Sequence, residues 1–177
     1  TCMTRIFCVS LMCCLSYLST AQNILINDQG FPNEPSIMMD PLNPNVIIAA
    51  ANINQYYISL DTGRTWSVRS LQSSHGVWGD PAIAVDIHSD FYFFHLSNPS
   101  SGNWIDRIVC QKTTDNGETW NDGSYTGLNG TKAQDKQWFA IEGNLRIDCR
   151  IFTPKLSNAI FPLIGRAQIG GCCRIGN

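Results

Sequence analysis

Charge is scarce in this sequence and thinly spread: Asp, Glu, Lys and Arg make up 15% of it, 12 basic against 14 acidic side chains. No block of one sign occurs, so there is no basic stripe to follow a phosphate backbone, and nucleic acid is excluded as a partner. Long apolar runs are equally rare. Past the first twenty-odd residues no segment approaches the ~20 apolar residues that a helical bilayer span requires, so the mature chain has no membrane span. Histidine is limited to His75, His88 and His95. The 8 cysteines are abundant in number but poorly placed for a disulfide framework, since only Cys110 lies between Cys14 and Cys149. The middle of the chain must therefore be held by packing, and Cys110, inside an apolar run, reads as a small buried hydrophobe.

What is present begins with an N-terminal leader. Arg5 carries positive charge, residues 6–18 are apolar, and Ser19-Thr20-Ala21 supplies small residues ahead of Gln22. That order matches a secretory signal peptide over residues 1–21, cleaved after Ala21, with Met3 as a natural start. Cys13 and Cys14 raise a lipoprotein reading, but Leu11-Met12 lacks the small residues such a site requires. The expected location is secreted or cell-surface.

The most informative feature is an octapeptide that occurs twice, as Ser59-Leu-Asp61-Thr-Gly63-Arg-Thr65-Trp66 and as Thr113-Thr-Asp115-Asn-Gly117-Glu-Thr119-Trp120. The copies share hydroxyl, Asp, Gly, Thr and Trp, at a spacing of roughly 50 residues, a period typical of stacked supersecondary units. Each copy reads as a tight turn between two strands. The Asp carboxylate accepts from nearby backbone N–H groups, the Gly tolerates positive φ, and the Trp offers a broad apolar face to a neighbouring unit.

A second repeat runs alongside the first. Asn33-Glu34-Pro35-Ser-Ile-Met-Met-Asp40 returns as Gly79-Asp80-Pro81-Ala-Ile-Ala-Val-Asp86, and more loosely as Asp135-Lys-Gln-Trp138-Phe-Ala-Ile-Glu142. An apolar run bounded by acids predicts a buried innermost strand. Between these anchors each unit has room for four strands: 46–51, 56–60 and the run after Trp66 complete the first, while 83–85, 91–96, 108–112 and the run after Trp120 make the second. A third unit opens near Asp135. From 142 to 177 the period vanishes, leaving a non-repeat tail that is either foreign to the repeat or a divergent cap.

The pattern S/T-x-D-x-G-x-T-W resembles the Asp-box, or BNR repeat, of the sialidase-like β-propellers. The resemblance covers about residues 33–141 and implies an all-β fold: a partial β-propeller of four-stranded Asp-box blades, two blades and the start of a third, spanning 22–141. Such a set is too small to close a ring, which takes about four to eight blades, so the chain is expected to be a fragment. The family places the Asp-box turn between the third and fourth strands, on the face opposite the active site. Ser59, Asp61, Gly63, Thr65, Trp66, Thr113, Asp115, Gly117, Thr119 and Trp120 are then structural. The five tryptophans, all between 66 and 138, are enough to build contacts between blades.

The resemblance also implies a chemistry, in which an arginine triad holds the substrate carboxylate, an Asp is the acid and a Tyr paired with a Glu is the nucleophile. This sequence has no F/Y-R-I-P segment. Asp106-Arg107-Ile108-Val109 lacks the Pro, and Arg64 and Arg69 belong to an Asp-box and its flank, so the catalytic residues are not assignable. The candidate ligand-face acids are Glu34, Asp80 and Asp135, which stand where the chain enters each innermost strand. A ring of carboxylates there binds a sugar hydroxyl or a cation, or acts as a general acid. The plainer alternative is that Glu34-Pro35 and Asp80-Pro81 form turns, with the residue before Pro extended. Asp86, His88 and Asp90 alternate like metal ligands but read better as a solvated turn. Asp115-Asn116-Gly117 opens like a calcium loop without its later ligands, and Asn129-Gly130-Thr131 is a glycosylation sequon. Tyr56 and Tyr57 are either stacking surfaces for a sugar or cross-strand packing. No metal and no cofactor are expected, and the expected partner is a glycan or glycoconjugate. Two functions stand side by side: a glycoside hydrolase of exo-sialidase type in its complete form, inactive as this fragment, and a non-catalytic extracellular binding or adhesion module.

Overall fold

The computed structural model describes residues 23–125, 128, 133–135, 137–142 and 146–151, the backbone alone for 138–142 and 146–151. The expected leader at 1–21, the sequon at 129–131 and residues 152–177 of the tail lie outside the described residues.

Ten strands and no helix make up the described chain. The first four-stranded sheet takes β1 (Ser36–Met39), β2 (Ile47–Ala51), β3 (Gln55–Ser59) and β4 (Ser67–Ser70) in sequence order, every neighbour antiparallel. The second repeats that order with β5 (Gly79–Val85), β6 (Phe91–Leu96), β7 (Ile108–Thr113) and β8 (Ser124–Tyr125). A further antiparallel pair joins β9 (Gln137–Glu142) to β10 (Arg146–Ile151). The fold is therefore all-β, with two antiparallel four-stranded meanders. β1 packs beside β5, and β5 beside β9.

Period-two alternation explains how the sheets pack. Ile48, Ala50, Tyr56 and Ile58 from the first sheet meet Ile83, Phe91 and Phe93 from the second in one core, closed by Val46 and Leu71. The opposite face of the second sheet carries Ala84, Tyr92, Phe94, Leu96, Ile108 and Cys110. The opposite face of the first has only Ala49, Ala51 and Tyr57, with Ile26 and Trp66 laid over it. β6 is buried along its whole length because both its faces lie in cores. Tyr56 and Tyr57 are buried, so they pack rather than present rings to a ligand, and Cys110 is buried and unbridged.

One strand departs from its sequence pattern. The run Ile37-Met38-Met39 in β1 was expected to be buried, yet these side chains are 56%, 38% and 51% exposed, whereas β5, its repeat, contributes Ile83 and Ala84 to the cores. β5 lies between β1 and β9, while β1 has β5 on one side. An apolar run states an affinity for burial, and a neighbouring element has to supply it.

The acids that end these runs have a local role. Asp40 Oδ1 accepts from Leu42 N at 2.8 Å, and Asp86 Oδ1 accepts from His88 N at 2.8 Å and Asp90 N at 3.0 Å, closing the β1–β2 and β5–β6 turns. Ser89 Oγ donates to Asp40 Oδ1 at 2.6 Å and ties the two turns together. The Asp86, His88, Asp90 alternation is thus a turn. Among the described residues no three His, Cys, Asp or Glu side chains group as metal ligands.

Candidate functional site

The two octapeptides occupy the β3–β4 and β7–β8 turns, at matching places in successive sheets. Their hydrogen bonds coincide almost bond for bond. Ser59 Oγ donates to Asp61 Oδ1 at 2.9 Å and accepts from Gly63 N at 2.8 Å; Thr113 Oγ1 donates to Asp115 Oδ1 at 2.6 Å and accepts from Gly117 N at 3.1 Å. Asp61 then takes Thr65 N at 2.9 Å and Thr65 Oγ1 at 2.7 Å, and Asp115 takes Thr119 N at 2.9 Å and Thr119 Oγ1 at 2.6 Å. These donors hold both carboxyls down to about 2, the Thr65 N–H leading at Asp61 and the Thr113 hydroxyl at Asp115. The backbone turns through positive φ at Thr62 and Gly63, and at Asn116 and Gly117. The three polar side chains that the copies share, the first hydroxyl, the Asp and the Thr, are spent on the turn itself.

The opposite end of the sheets is where β1 and β5 begin and where β2 and β6 end. In an antiparallel meander this end lies away from the third-to-fourth turn, so Glu34 and Asp80 stand there, and Asp135 precedes β9 in the same way. Glu34 and Asp135 are exposed and Asp80 is half-buried. Glu34 and Asp80 share an unusual backbone, with φ of 50° and 48°. Residues before Pro were expected to be extended; both instead adopt left-handed geometry. Tertiary bonds hold Asp80 there, as Asn52 Oδ1 accepts from Asp80 N at 2.6 Å and Gln137 Nε2 donates to Asp80 O.

Amide side chains link these positions into one series. Asn52 Nδ2 donates to Asn33 Oδ1 at 2.7 Å, and Asn52 N donates to Asn33 O at 3.0 Å, so the β2–β3 turn spans from the residue before Glu34 to Asp80. Gly79 lets Asn52 come this close, since a Cβ there would fall 2.3 Å from Asn52 Oδ1. From Asp80 the series continues to Gln137, two residues after Asp135. The starts of β1, β5 and β9 are thereby brought together through Asn33, Asn52, Asp80 and Gln137. The acids were legible in the sequence; Asn52 and Gln137, which fix their backbone, were not, because nothing local marks an Asn in a turn as a long-range bridge.

Two of the described arginines are held in ion pairs. Arg107 Nε reaches Asp106 Oδ1 at 2.7 Å and its Nη2 reaches Asp106 Oδ2 at 2.8 Å, while Arg69 meets Glu118 at 3.0 Å. Arg64 lies in the first octapeptide turn, at the far end from Asp80. His95 is buried, its Nε2 3.1 Å from Gln111 Oε1 and its Nδ1 2.9 Å from Leu96 O, and burial holds it down to about 4. It belongs to the interior of the second sheet.

The tryptophans divide in a way the sequence did not disclose. Trp120 and Trp66 pack against sheet faces as expected. Trp78 and Trp104, expected to fill contacts between units, are instead 39% and 56% exposed, and they face each other edge to face at 5.8 Å between ring centres. Both lie at the acid-bearing end, Trp78 just before β5 and Trp104 in the β6–β7 loop. Comparison with known proteins adds no relative: no protein-family model matches the chain, and no curated protein matches it.

Proposed function

We propose that this chain is a carbohydrate-directed part of a secreted, sialidase-like Asp-box β-propeller, binding glycans at the end of the sheets that carries Glu34, Asp80 and Asp135. The observation that carries the reading is the pair of bond-for-bond equivalent octapeptide turns, each between the third and fourth strands of successive four-stranded sheets. The adjacency of β1, β5 and β9 supports a radial order of blades with innermost strands side by side. A fold of this kind hosts many activities, so the sugar assignment rests on the resemblance together with the composition of the acid-bearing end. The Asp80 backbone is held by Asn52 and Gln137, so its carboxylate is positioned as an acceptor for sugar hydroxyls with little reorganisation on binding.

In the complete form this reading makes the protein a glycoside hydrolase of exo-sialidase type, in which an acid at the ligand face protonates the leaving oxygen. A second reading, a non-catalytic binding or adhesion module, is favoured by the arginines: Arg107 and Arg69 are committed to Asp106 and Glu118, and Arg64 lies at the other end. A glycan array with the full chain, paired with turnover assays on sialosides and other glycosides, tests both. The chain itself is expected to bind without turnover, and Asp80→Asn to weaken binding about tenfold or more, the scale for a lost charge-assisted hydrogen bond. Absence of any glycan signal removes the reading, while turnover by this chain removes the binding-module alternative.

A further inference from the structure

We infer that Trp78 and Trp104 form a stacking platform for the ring of a saccharide, at the acid-bearing end of the second sheet. The inference rests on the carbohydrate-directed reading above and deepens it by naming the surface that holds the sugar. Its starting point is the exposure of two indoles in edge-to-face contact, 39% and 56% open, where Trp66 and Trp120 pack against sheet faces and the aromatic rings of β3 and β6 are buried.

The platform is built on a fixed support. Ile105 is buried and donates its N–H to Ser97 O at 3.0 Å, Ser97 N donates to Arg107 O at 3.2 Å, and Ser97 Oγ donates to Asp106 Oδ1 at 3.0 Å. Gln134 adds bonds to Ile105 O at 2.8 Å and Asp106 O at 2.9 Å, and the Arg107 fork closes on the same carboxylate. The loop carrying Trp104 is thus braced on both sides. Trp78 N donates to Leu96 O at 2.9 Å, and Asn98 N donates to His75 O at 3.1 Å, which pins the approach to β5 against the end of β6. Gly76 permits that close approach, since a Cβ would fall 1.9 Å from Asn98 O. Two exposed indoles on so constrained a backbone lose little entropy when a ligand covers them.

Size and chemistry select the occupant. Two half-open indoles offer on the order of 200 Å², against about 800 Å² a side for a stable protein interface. Nucleic-acid bases also stack on tryptophan, but such sites need a cationic groove, and the guanidinium of this loop is held by Asp106. The loop that carries Trp104 also exposes Asn98, Ser100, Ser101 and Asn103. An apolar patch one or two rings wide, on a loop rich in exposed amides and hydroxyls, matches a pyranose, whose C–H face is flat and whose edge is hydroxylic.

Titration of the full chain with free oligosaccharides ending in glucose, galactose, mannose, N-acetylglucosamine or sialic acid tests this by NMR, with the Trp78 and Trp104 indole N–H signals assigned from their loss in Trp78→Ala and Trp104→Ala. At least one sugar should shift both signals. Trp104→Ala should then weaken that sugar at least tenfold while the far-ultraviolet spectrum is unchanged, and Trp104→Phe should restore most of the loss. Sugar binding that leaves both indoles unmoved overturns the platform and keeps the carbohydrate reading; no binding by any sugar overturns both. Tetramethylammonium shifting the indoles where no sugar does would make the pair a cation cage and would likewise overturn the assignment.

Discussion

The two octapeptide turns share their internal bonds and differ in almost everything around them. The first lies at the rim: a Cβ on Gly63 would sit at ordinary contact distance, 3.6 Å from Ile47 and Trp66, and Trp66 Nε1 turns back to donate to Gly63 O at 3.0 Å. The second is driven into the neighbouring sheet. A Cβ on Gly117 would come within 3.0 Å of Ile48 and 3.1 Å of Ile58, Gly117 O accepts from the Tyr56 hydroxyl at 3.2 Å, and Trp120 stands edge to face with both Tyr56 and Phe93 at 5.8 Å. The octapeptide therefore encodes a turn that closes on itself, and a neighbouring sheet decides whether it also becomes an interface.

The largest contrast should appear at the tryptophans. Trp120→Ala opens the inter-sheet core beside Phe93 and is expected to cost about 3 kcal/mol, the low end for a tryptophan because the ring is partly buried. Trp66→Ala removes a half-buried side chain from the thinner cluster on the first sheet and should cost about half as much or less. Urea unfolding of the full chain and the two variants measures both. Equal losses would mean that the two clusters lose as much packing at either ring, and the contrast between rim and interface would be lost. The glycines come next. Both have φ in the left-handed region, 81° and 86°, so alanine strains each backbone by about 1–2 kcal/mol. Gly117→Ala also forces a methyl against Ile48 and Ile58, at a further 1–3 kcal/mol of overpacking, and the same unfolding measurement should rank it clearly below Gly63→Ala in stability.

Where the comparison turns to what the copies share, pH is the probe. Asp61 and Asp115 are both held down to about 2, below the ordinary 3.8. A carboxyl depressed in the folded state contributes stability that is complete above 3.8 and is lost as pH falls toward 2. His95 acts in a separate window. Its folded value of about 4 lies below the ordinary 6.5, so the unfolded chain takes up its proton first, and stability declines as pH drops from 6.5 toward 4. Unfolding free energy followed from pH 7 to pH 2 should thus fall in two stages. His95→Gln should flatten the upper stage, while Asp61→Asn and Asp115→Asn should each flatten the lower one to a similar degree. A larger change at Asp115 alone would show that its setting, and not the shared bonds, controls its titration.

Much of this fold was legible because its signals are local. β6 matches its expected run of 91–96, and the β3–β4 and β7–β8 turns fall on the repeated octapeptides. The Asp was read as an acceptor for nearby N–H groups, but the first hydroxyl was not given its part: Ser59 and Thr113 take the N–H of the glycine four residues on. The misreadings are all tertiary. Ile37, Met38 and Met39 carry an apolar pattern with no element among the described residues to bury it, and Trp78 and Trp104 carry large apolar faces left open. Glu34 and Asp80 were identified as acids at strand starts, yet their left-handed backbone is maintained at Asp80 by Asn52 and Gln137, from other strands and turns. A sequence records what a residue prefers; whether Asn33 reaches Asn52, or Asn52 reaches Asp80, depends on sheets already stacked.

The smallest effect belongs to the one ion pair joining the second octapeptide to the first sheet. Arg69 on β4 meets Glu118 through two bonds, at 3.0 Å and 3.1 Å, with both side chains well exposed, 39% and 52%. An exposed pair of this kind contributes about 0.2–1 kcal/mol and is screened by salt. A double-mutant cycle with Arg69→Ala and Glu118→Ala should give a coupling near the lower end of that range in dilute buffer, fading to nothing at molar salt. Thr62 of the first octapeptide offers a control, because Thr62 Oγ1 and N bond to Asn45 within the same sheet, at 2.9 Å and 3.1 Å. Thr62→Ala should therefore destabilise without any salt dependence. A coupling at Arg69 and Glu118 that persisted in molar salt would mean that water is excluded from the seam between β4 and the second turn, and that packing at Trp120 extends to the surface.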